Sequence, residues 1–341
     1  MNPRAVIWIM SGKCNLKCIH CYASRFLSAP DLSVEQRLKM IHELAESGIT
    51  HIGITGGEPL LDENLELYMR EIRDRGMTCD INTNATLMSE EKAKLIRRYD
   101  AFLYVSVDGA SKITHEKIRG LGSWDRLMRG LEITKREGLE FSTIFTISKL
   151  NYKESGEYVK LAESLGALSA CMIPLMPVGR ANASMITSKN ELLQALKSAE
   201  SAADELGYRM KVWCFRPAKL LIHPKYVSTW SDCRKRKVID IDPSGNLLLC
   251  DVLDIVIGNV KEGFKRALKV YMEHEAVKRV TNPVLREPCK SCPLKNECMG
   301  GCYARSYIYY KTFDGPDPYC PLVETVNETG AEETSQHKNI I

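Results

Sequence analysis

No stretch of this 341-residue chain is apolar enough to enter a membrane. Its first ten residues, MNPRAVIWIM, end in an unbroken apolar run of only six, too few for a signal peptide's apolar region or a spanning helix. One sign of charge is not in excess either. The formal net charge is +4, and the basic residues are spread through helical patterns rather than massed on one segment, so there is no electrostatic case for nucleic acid. Internal repeats and low-complexity tracts are absent as well. With 44% hydrophobic and 26% charged residues, the chain is expected to bury a full core, to stay in the cytoplasm and to have no membrane or nucleic-acid partner. Its length points to two modules, or to one large barrel-like domain with an appendage.

What the chain does have in quantity is cysteine. There are thirteen, and ten of them fall in two groups. In a reducing compartment such grouping argues for metal or catalysis over disulfides, and the odd count agrees. The first group is Cys14, Cys18 and Cys21, spaced C-x3-C-x2-C. Three thiolates on one tight loop can hold three irons of a four-iron, four-sulfur cluster and leave the fourth iron open to a ligand that is not protein. A closed zinc site would want a fourth protein ligand nearby, and His20 is the only local candidate. A second stretch, Gly56-Gly57-Glu58-Pro59, follows the strand-like run Ile49 to Thr55. Glycines let a backbone approach a ligand closely, and Glu58 offers a carboxylate to a ligand ammonium.

Together these two stretches resemble the radical S-adenosylmethionine (radical SAM) superfamily, whose members bind the amino and carboxylate groups of SAM at that open iron. The resemblance implies that Cys14, Cys18 and Cys21 hold the cluster and that Gly56, Gly57, Glu58 and Pro59 face SAM. The rest of the first 207 residues fits. Apolar runs at Ala5 to Met10, Ile49 to Thr55, Thr78 to Asn82, Phe102 to Val107, Phe141 to Ile147 and Leu168 to Ile173 read as buried parallel strands. Helical patterns separate them, one opening on the capping box Ser33 to Gln36, others ending near Gly76, Arg98, Gly138 and Gly166. Alternation of this kind gives a parallel sheet with active residues at the carboxyl ends of its strands. The expected fold is α/β, a partial (β/α)6 parallel barrel of the radical SAM type over 1–207. A helix from Ser188 to Leu206 leads out of it.

Beyond residue 207 the rhythm changes. Val238 to Ile241 and Leu247 to Leu249 flank the turn Asp242-Pro243-Ser244-Gly245 and read as a hairpin, followed by a helical stretch from Lys261 to Val280. The spacing Cys233-x11-Gly245-x4-Cys250, then Cys289-x2-Cys292-x5-Cys298-x3-Cys302, then Cys320, is similar to the SPASM domain, an extension holding two auxiliary iron-sulfur clusters. That resemblance implies an extension over 208–323, a polar tail over 324–341, and two ligand sets. Cys214, Cys233, Cys250 and Cys302 would hold the first auxiliary cluster, with Cys214 as the available upstream thiol, and Cys289, Cys292, Cys298 and Cys320 the second. Four-cysteine zinc sites use the same ligands, so a pair of structural zinc sites is the alternative. Cys79 and Cys171 lie within strand patterns and read as core.

Further residues follow from the resemblance. His20 stands where relatives commonly place an aromatic group against the adenine. Asn84, in Asn82-Thr83-Asn84, and Ser106, in Ser106-Val107-Asp108-Gly109, are strand-end candidates for SAM contacts, whereas Asp108-Gly109 reads as a turn. Asn151 and Pro177 to Arg180 resemble segments that close the site. In the sulfatase-maturing branch a Cys-Asp pair supplies a proton acceptor, which makes Asp251, after Cys250, the candidate catalytic base or else a loop residue. The basic run Arg234 to Lys237 reads as a solvated face, as an offset to cluster charge, or as a receiver of a substrate carboxylate.

The expected activity is that of an oxygen-sensitive radical SAM enzyme with three 4Fe-4S clusters. It would reduce SAM to a 5′-deoxyadenosyl radical that takes hydrogen from a substrate, with an electron donor such as flavodoxin or ferredoxin. Peptide or protein side chains are the leading substrate class and a tetrapyrrole side chain in haem biosynthesis the alternative. Val6 to Ile9 and Asp317 to Cys320 lean to the tetrapyrrole branch, and Cys250-Asp251 to the peptide branch. No peptide-recognition module is seen before Arg4. From another class, a non-catalytic iron-sulfur or zinc protein would explain the cysteines but not Gly56 to Pro59.

Overall fold

Short β-branched and apolar runs, each closed by a glycine, proline or asparagine turn, alternate with capped amphipathic segments through the first two thirds of the chain, and each becomes the element its pattern predicts. The computed structural model describes residues 3–223, 225–230 and 233–324, so 325–341 of the expected tail lie outside the described residues. The strands are β1 (Ala5–Ile9), β2 (His51–Thr55), β3 (Thr78–Thr83), β4 (Phe102–Ser106), β5 (Phe141–Ile147) and β6 (Ala170–Pro174). After each of the first five comes a helix: α1 (Val34–Glu46), α2 (Leu65–Asp74), α3 (Glu90–Arg98), the pair α4 (Lys112–Arg119) and α5 (Ser123–Arg136), and α6 (Ser155–Ser164). Ser33 caps α1 by accepting from the Gln36 amide while the Gln36 side chain accepts from the Ser33 amide at 2.9 Å. The same box, Ser188 with Glu191, opens α7 (Lys189–Leu206), which ends on Gly207 at φ 62.

The sheet does not stop at six strands. Among the described residues it has eleven, adding β7 (Met210–Trp213), β8 (Val227–Trp230), β9 (Val238–Ile241), β10 (Asn246–Leu248) and β11 (Val256–Asn259) in the order β11-β10-β9-β1-β2-β3-β4-β5-β6-β7-β8. From β9 to β8 all neighbours run parallel, and β10 and β11 turn back antiparallel as the predicted hairpin and one strand more. The strands on either side of residue 207 thus share one sheet, with β9 paired directly to β1 through Ile7 and Asp240.

This sheet has to curl. Eight steps of about 4.8 Å separate β8 from β9 in a flat sheet, roughly 38 Å, but the chain from residue 230 to 238 reaches at most about 28 Å. The curl is visible in the rings of Tyr104 on β4 and Trp213 on β7, three strands apart yet 5.0 Å between centroids. Val6, Trp8, Ile52, Ile54, Ile81, Leu103 and Val105 point outward and are buried under the helices. Their alternates, including Ile7, Asn82, Tyr104, Ser106, Thr146, Lys211, Trp213 and Asp240, line the concave face and are only half-buried. That face is the lumen of the curl.

The remaining helices are α8 (Phe264–Glu273), α9 (Glu275–Thr281), α10 (Lys295–Cys298) and α11 (Tyr303–Tyr310). The expected helical stretch from Lys261 to Val280 holds two helices, parted at His274, whose extended ψ of 139 caps α9. Cys79 and Cys171 are buried within β3 and β6.

Candidate functional site

The loop after β1 carries Cys14, Cys18 and Cys21, and four strand ends converge on it. From β2, the Gly57 amide donates to the Ser11 carbonyl at 2.7 Å and the Glu58 amide to the Lys13 carbonyl at 2.9 Å. Any side chain at Gly57 would put its Cβ 1.8 Å from the Lys13 oxygen, and Gly56 sits at φ 139 against Ser11. The glycines are therefore required by the cysteine loop itself. Pro59 starts a short turn and is buried. The Glu58 carboxylate, 4% exposed, accepts from the Thr83 hydroxyl at 2.6 Å and from the amides of Asn84 and Leu60. Burial pushes this carboxyl up and those three donors pull it back. Glu58 thus fastens the end of β3, where Asn84 donates to Asn15 at 3.0 Å and lies 3.9 Å from the Cys14 sulfur.

The end of β4 supplies more than a turn. Asp108 is fully buried and collects Arg119 Nε at 2.6 Å, His20 Nε2 at 3.0 Å and the Thr146 amide at 2.7 Å. Burial alone would raise its pKa, but Arg119 and His20 outweigh it and hold the carboxyl well below the usual range. Arg119 also reaches the Cys18 sulfur at 3.9 Å. His20, 9% exposed, thus has one nitrogen on Asp108, and its Nδ1 is buried without a partner. Ser106 ends β4 on the lumen side. Asn151 is a buried loop brace, bonding the carbonyls of Asp108 and Thr146 and the Ser148 amide. After β6, Arg180 donates to the carbonyls of Cys18 and Cys21 at 2.8 and 3.1 Å, so the 177–180 segment also supports the loop. Sequence reasoning missed Arg119, because α4 was not read as a helix, and undervalued Asp108. The signal for α4 was its cap, Ser111, accepting from the Thr114 amide.

The remaining cysteines assemble into two groups. Cys214 follows β7, Cys233 follows β8, Cys250 follows β10, and Cys302 caps α11, its sulfur accepting from the Arg305 amide at 3.4 Å. They face one another: burial lifts the Cys214 thiol and Cys233 and Cys302 lift it further, and Cys250 is lifted by burial, by two carboxylates and by the same pair. Cys289, Cys292, Cys298 and Cys320 line a second pocket with Pro217 and Leu220. Among the described residues no three cysteine sulfurs lie within 4.8 Å of one another; the only convergent ligand set is Asp240, Cys250 and Asp251. A tetrahedral zinc would draw its sulfurs to about 3.8 Å.

Asp251 lies between the two regions. Its amide donates to Asp240 on the lumen face at 3.1 Å, the Cys250 thiol reaches its carboxylate at 3.5 Å, and Tyr22, next to Cys21, is close enough for its ionisation to be opposed by Asp251. Burial pushes both carboxyls up, and the charge of Asp251 pushes Asp240 further. Within the basic run, the solvated-face reading does not hold for Arg234 and Arg236, which are buried and donate to protein carbonyls, whereas Lys237 is exposed.

Do these residues fit the groups their pattern implies? The donor sets are thiols at more than single-ion spacing, the Cys14 thiol is held up at about 11 by burial until something displaces its proton, and buried nitrogens of His20, Arg236 and Arg305 lack partners in the protein. They fit. No described helix is long and apolar enough to cross a membrane.

The model of the Radical SAM superfamily matches residues 8–162. The chain is 27% identical to the AdoMet-dependent heme synthase of Methanosarcina barkeri, over 93% of this chain and 96% of that protein. It is 26% identical to the mycofactocin maturase MftC of Mycolicibacterium smegmatis, over 93% and 82%. Its fold is similar to that of Streptococcus suis SuiB bound to precursor peptide SuiA, with a TM-score of 0.77 at 17% identity over 94% of this chain and 76% of that one.

Proposed function

Because the chain belongs to the radical SAM superfamily through residues 8–162 and carries a SPASM-type auxiliary region behind them, we propose that it takes hydrogen from a peptide or protein side chain. Cys14, Cys18 and Cys21 would hold the SAM-binding cluster, and the two other groups of four cysteines would hold auxiliary 4Fe-4S clusters. When bound, the reduced first cluster and SAM supply a 5′-deoxyadenosyl radical, and the chain's own residues orient and protect it. The observation that carries this reading is three thiols on one loop, braced by Gly57, Asn84, Arg119 and Arg180.

Gly56 to Pro59, Asn84 and Ser106, at the ends of β2, β3 and β4, would face SAM, and His20, held by Asp108, would meet the adenine. Asp251 would take a proton from substrate beside the first auxiliary group. The protein would work in the cytoplasm, where thiols stay reduced, with a flavodoxin or ferredoxin as electron donor. The regions 1–207 and 208–323 act as core and auxiliary module.

A second reading, the side chain of a tetrapyrrole, is favoured by the heme synthase similarity along 96% of that relative. Half-buried Lys211 on the inner face would then meet a propionate. Anaerobic incubation with SAM, a strong reductant and either class of substrate, read by mass spectrometry, decides between them. A mass change in the peptide supports the first reading and a change in the tetrapyrrole the second. Loaded enzyme that cleaves SAM and alters neither rejects both.

A further inference from the structure

Three guanidinium groups are buried around the first auxiliary group of thiols, and they are not partnered alike. Arg305 is paired with Asp317 at 2.6 Å. Arg234 gives its donors to the carbonyls of Gly301, Val280 and Phe313. Arg236 is the exception. Its side chain is 1% exposed, and one nitrogen serves the carbonyls of Cys233 and Leu249 and the Tyr303 hydroxyl. Its Nε and other terminal nitrogen have no partner, and it forms no ion pair among the described residues. The Tyr271 ring lies 5.1 Å from the guanidinium carbon. The backbone is also constrained, since Arg236 sits at φ 49, a conformation that L side chains adopt only where the surroundings impose it.

A buried cation without a counter-charge is costly, whereas the same cation beside an anion is stabilising. The carboxylate whose charge acts on it, Asp240, already accepts from the Asp251 amide. The other groups whose ionisation would act on it are the Tyr303 hydroxyl, to which it donates, and the thiols of Cys233 and Cys250. Four thiolates around a 4Fe-4S core carry net negative charge, and reduction adds one more. We propose that Arg236 is the built-in counter-charge of the cluster held by Cys214, Cys233, Cys250 and Cys302, and that it raises the reduction potential of that cluster. This rests on the reading of those four cysteines as cluster ligands. Four cysteines leave no iron open, so a raised potential marks this cluster as an electron acceptor in a net oxidation of substrate rather than as a substrate-binding site.

The test is an EPR-monitored redox titration of the reconstituted full chain. The first auxiliary signal is assigned by its loss in a Cys214→Ser, Cys233→Ser double variant, with the second auxiliary cluster as internal reference. If that double variant retains all of its iron, the cluster reading itself fails, whatever Arg236 does. With the cluster present, Arg236→Met lowers the midpoint of the first cluster relative to the second. The lowering is enough to cut its reduced fraction at the wild-type midpoint by roughly tenfold or more, and Arg236→Lys restores most of it. Loss of only the first cluster in Arg236→Met, with retention in Arg236→Lys, likewise supports a charge requirement. An unchanged midpoint in fully loaded Arg236→Met, or loss of the cluster in both variants, overturns the proposal.

Discussion

Asp251 is the residue on which the chemistry is most exposed to test, because it touches Cys250 on one side and Asp240 of the inner sheet face on the other. Asp251→Asn keeps its shape and its amide bond to Asp240 but removes the proton acceptor. SAM cleavage should survive while product falls by about two to four orders of magnitude, measured by parallel quantification of 5′-deoxyadenosine and product. Unchanged product would leave Asp251 as a loop residue and move tetrapyrrole chemistry to first place. Asp108 makes a different prediction, one of stability. Asp108→Asn leaves Arg119 buried without its carboxylate and should cost about 3 to 5 kcal/mol in chemical denaturation. A loss below about 1 kcal/mol would show that Arg119 finds another partner. Asp108 was read from sequence as a turn because an Asp-Gly pair after a strand usually is one; only the three-dimensional approach of Arg119, eleven residues on, gives it its charge role.

At the scale of elements, the strands and most helices were legible because their outward faces are continuous apolar runs and their ends carry caps, as at Ser33 and Ser188. Helix α4 was not. Its buried face holds His115 and Ile118 while its other isoleucine, Ile113, is exposed, so the apolar stripe that announces a helix is broken. That buried histidine has a measurable consequence. Burial, aided by Arg119, lowers its pKa to about 3, and its Nδ1 accepts from the Asp108 amide. Below pH 6.5 the unfolded chain binds a proton here that the folded chain refuses, so this residue's contribution falls as pH drops from about 6.5 toward 3 and is constant above. His115→Gln removes that slope. Between pH 7.5 and 5.0 the wild type should lose about 2 kcal/mol more than the variant in denaturant titrations. Equal losses would place a charged His115 in the folded protein.

Across the whole molecule, the sequence pattern carried the cysteine groups and the parallel core but not the sheet that joins them. Strands β7, β8 and β11 are four residues each, too short for periodicity to declare, and the pairing of β9 with β1 is a contact between residues more than two hundred positions apart. Curling that sheet places the segment of Cys250 and Asp251 beside the loop of Cys21, as the bond from Arg25 to the Leu253 carbonyl shows, so that the two proposed sites adjoin. Their ligands are nevertheless separate. Replacing Cys14, Cys18 and Cys21 together with alanine should remove one cluster's iron and leave the carboxyl-terminal iron in place, by metal and sulfide analysis. The central claim is that this loop is where SAM is cleaved, and the most direct measurement is 5′-deoxyadenosine formed anaerobically from SAM and a strong reductant by the loaded wild type and by that triple variant. The account predicts accumulation by the wild type and none by the variant; cleavage by the variant, or none by a fully loaded wild type, would contradict it.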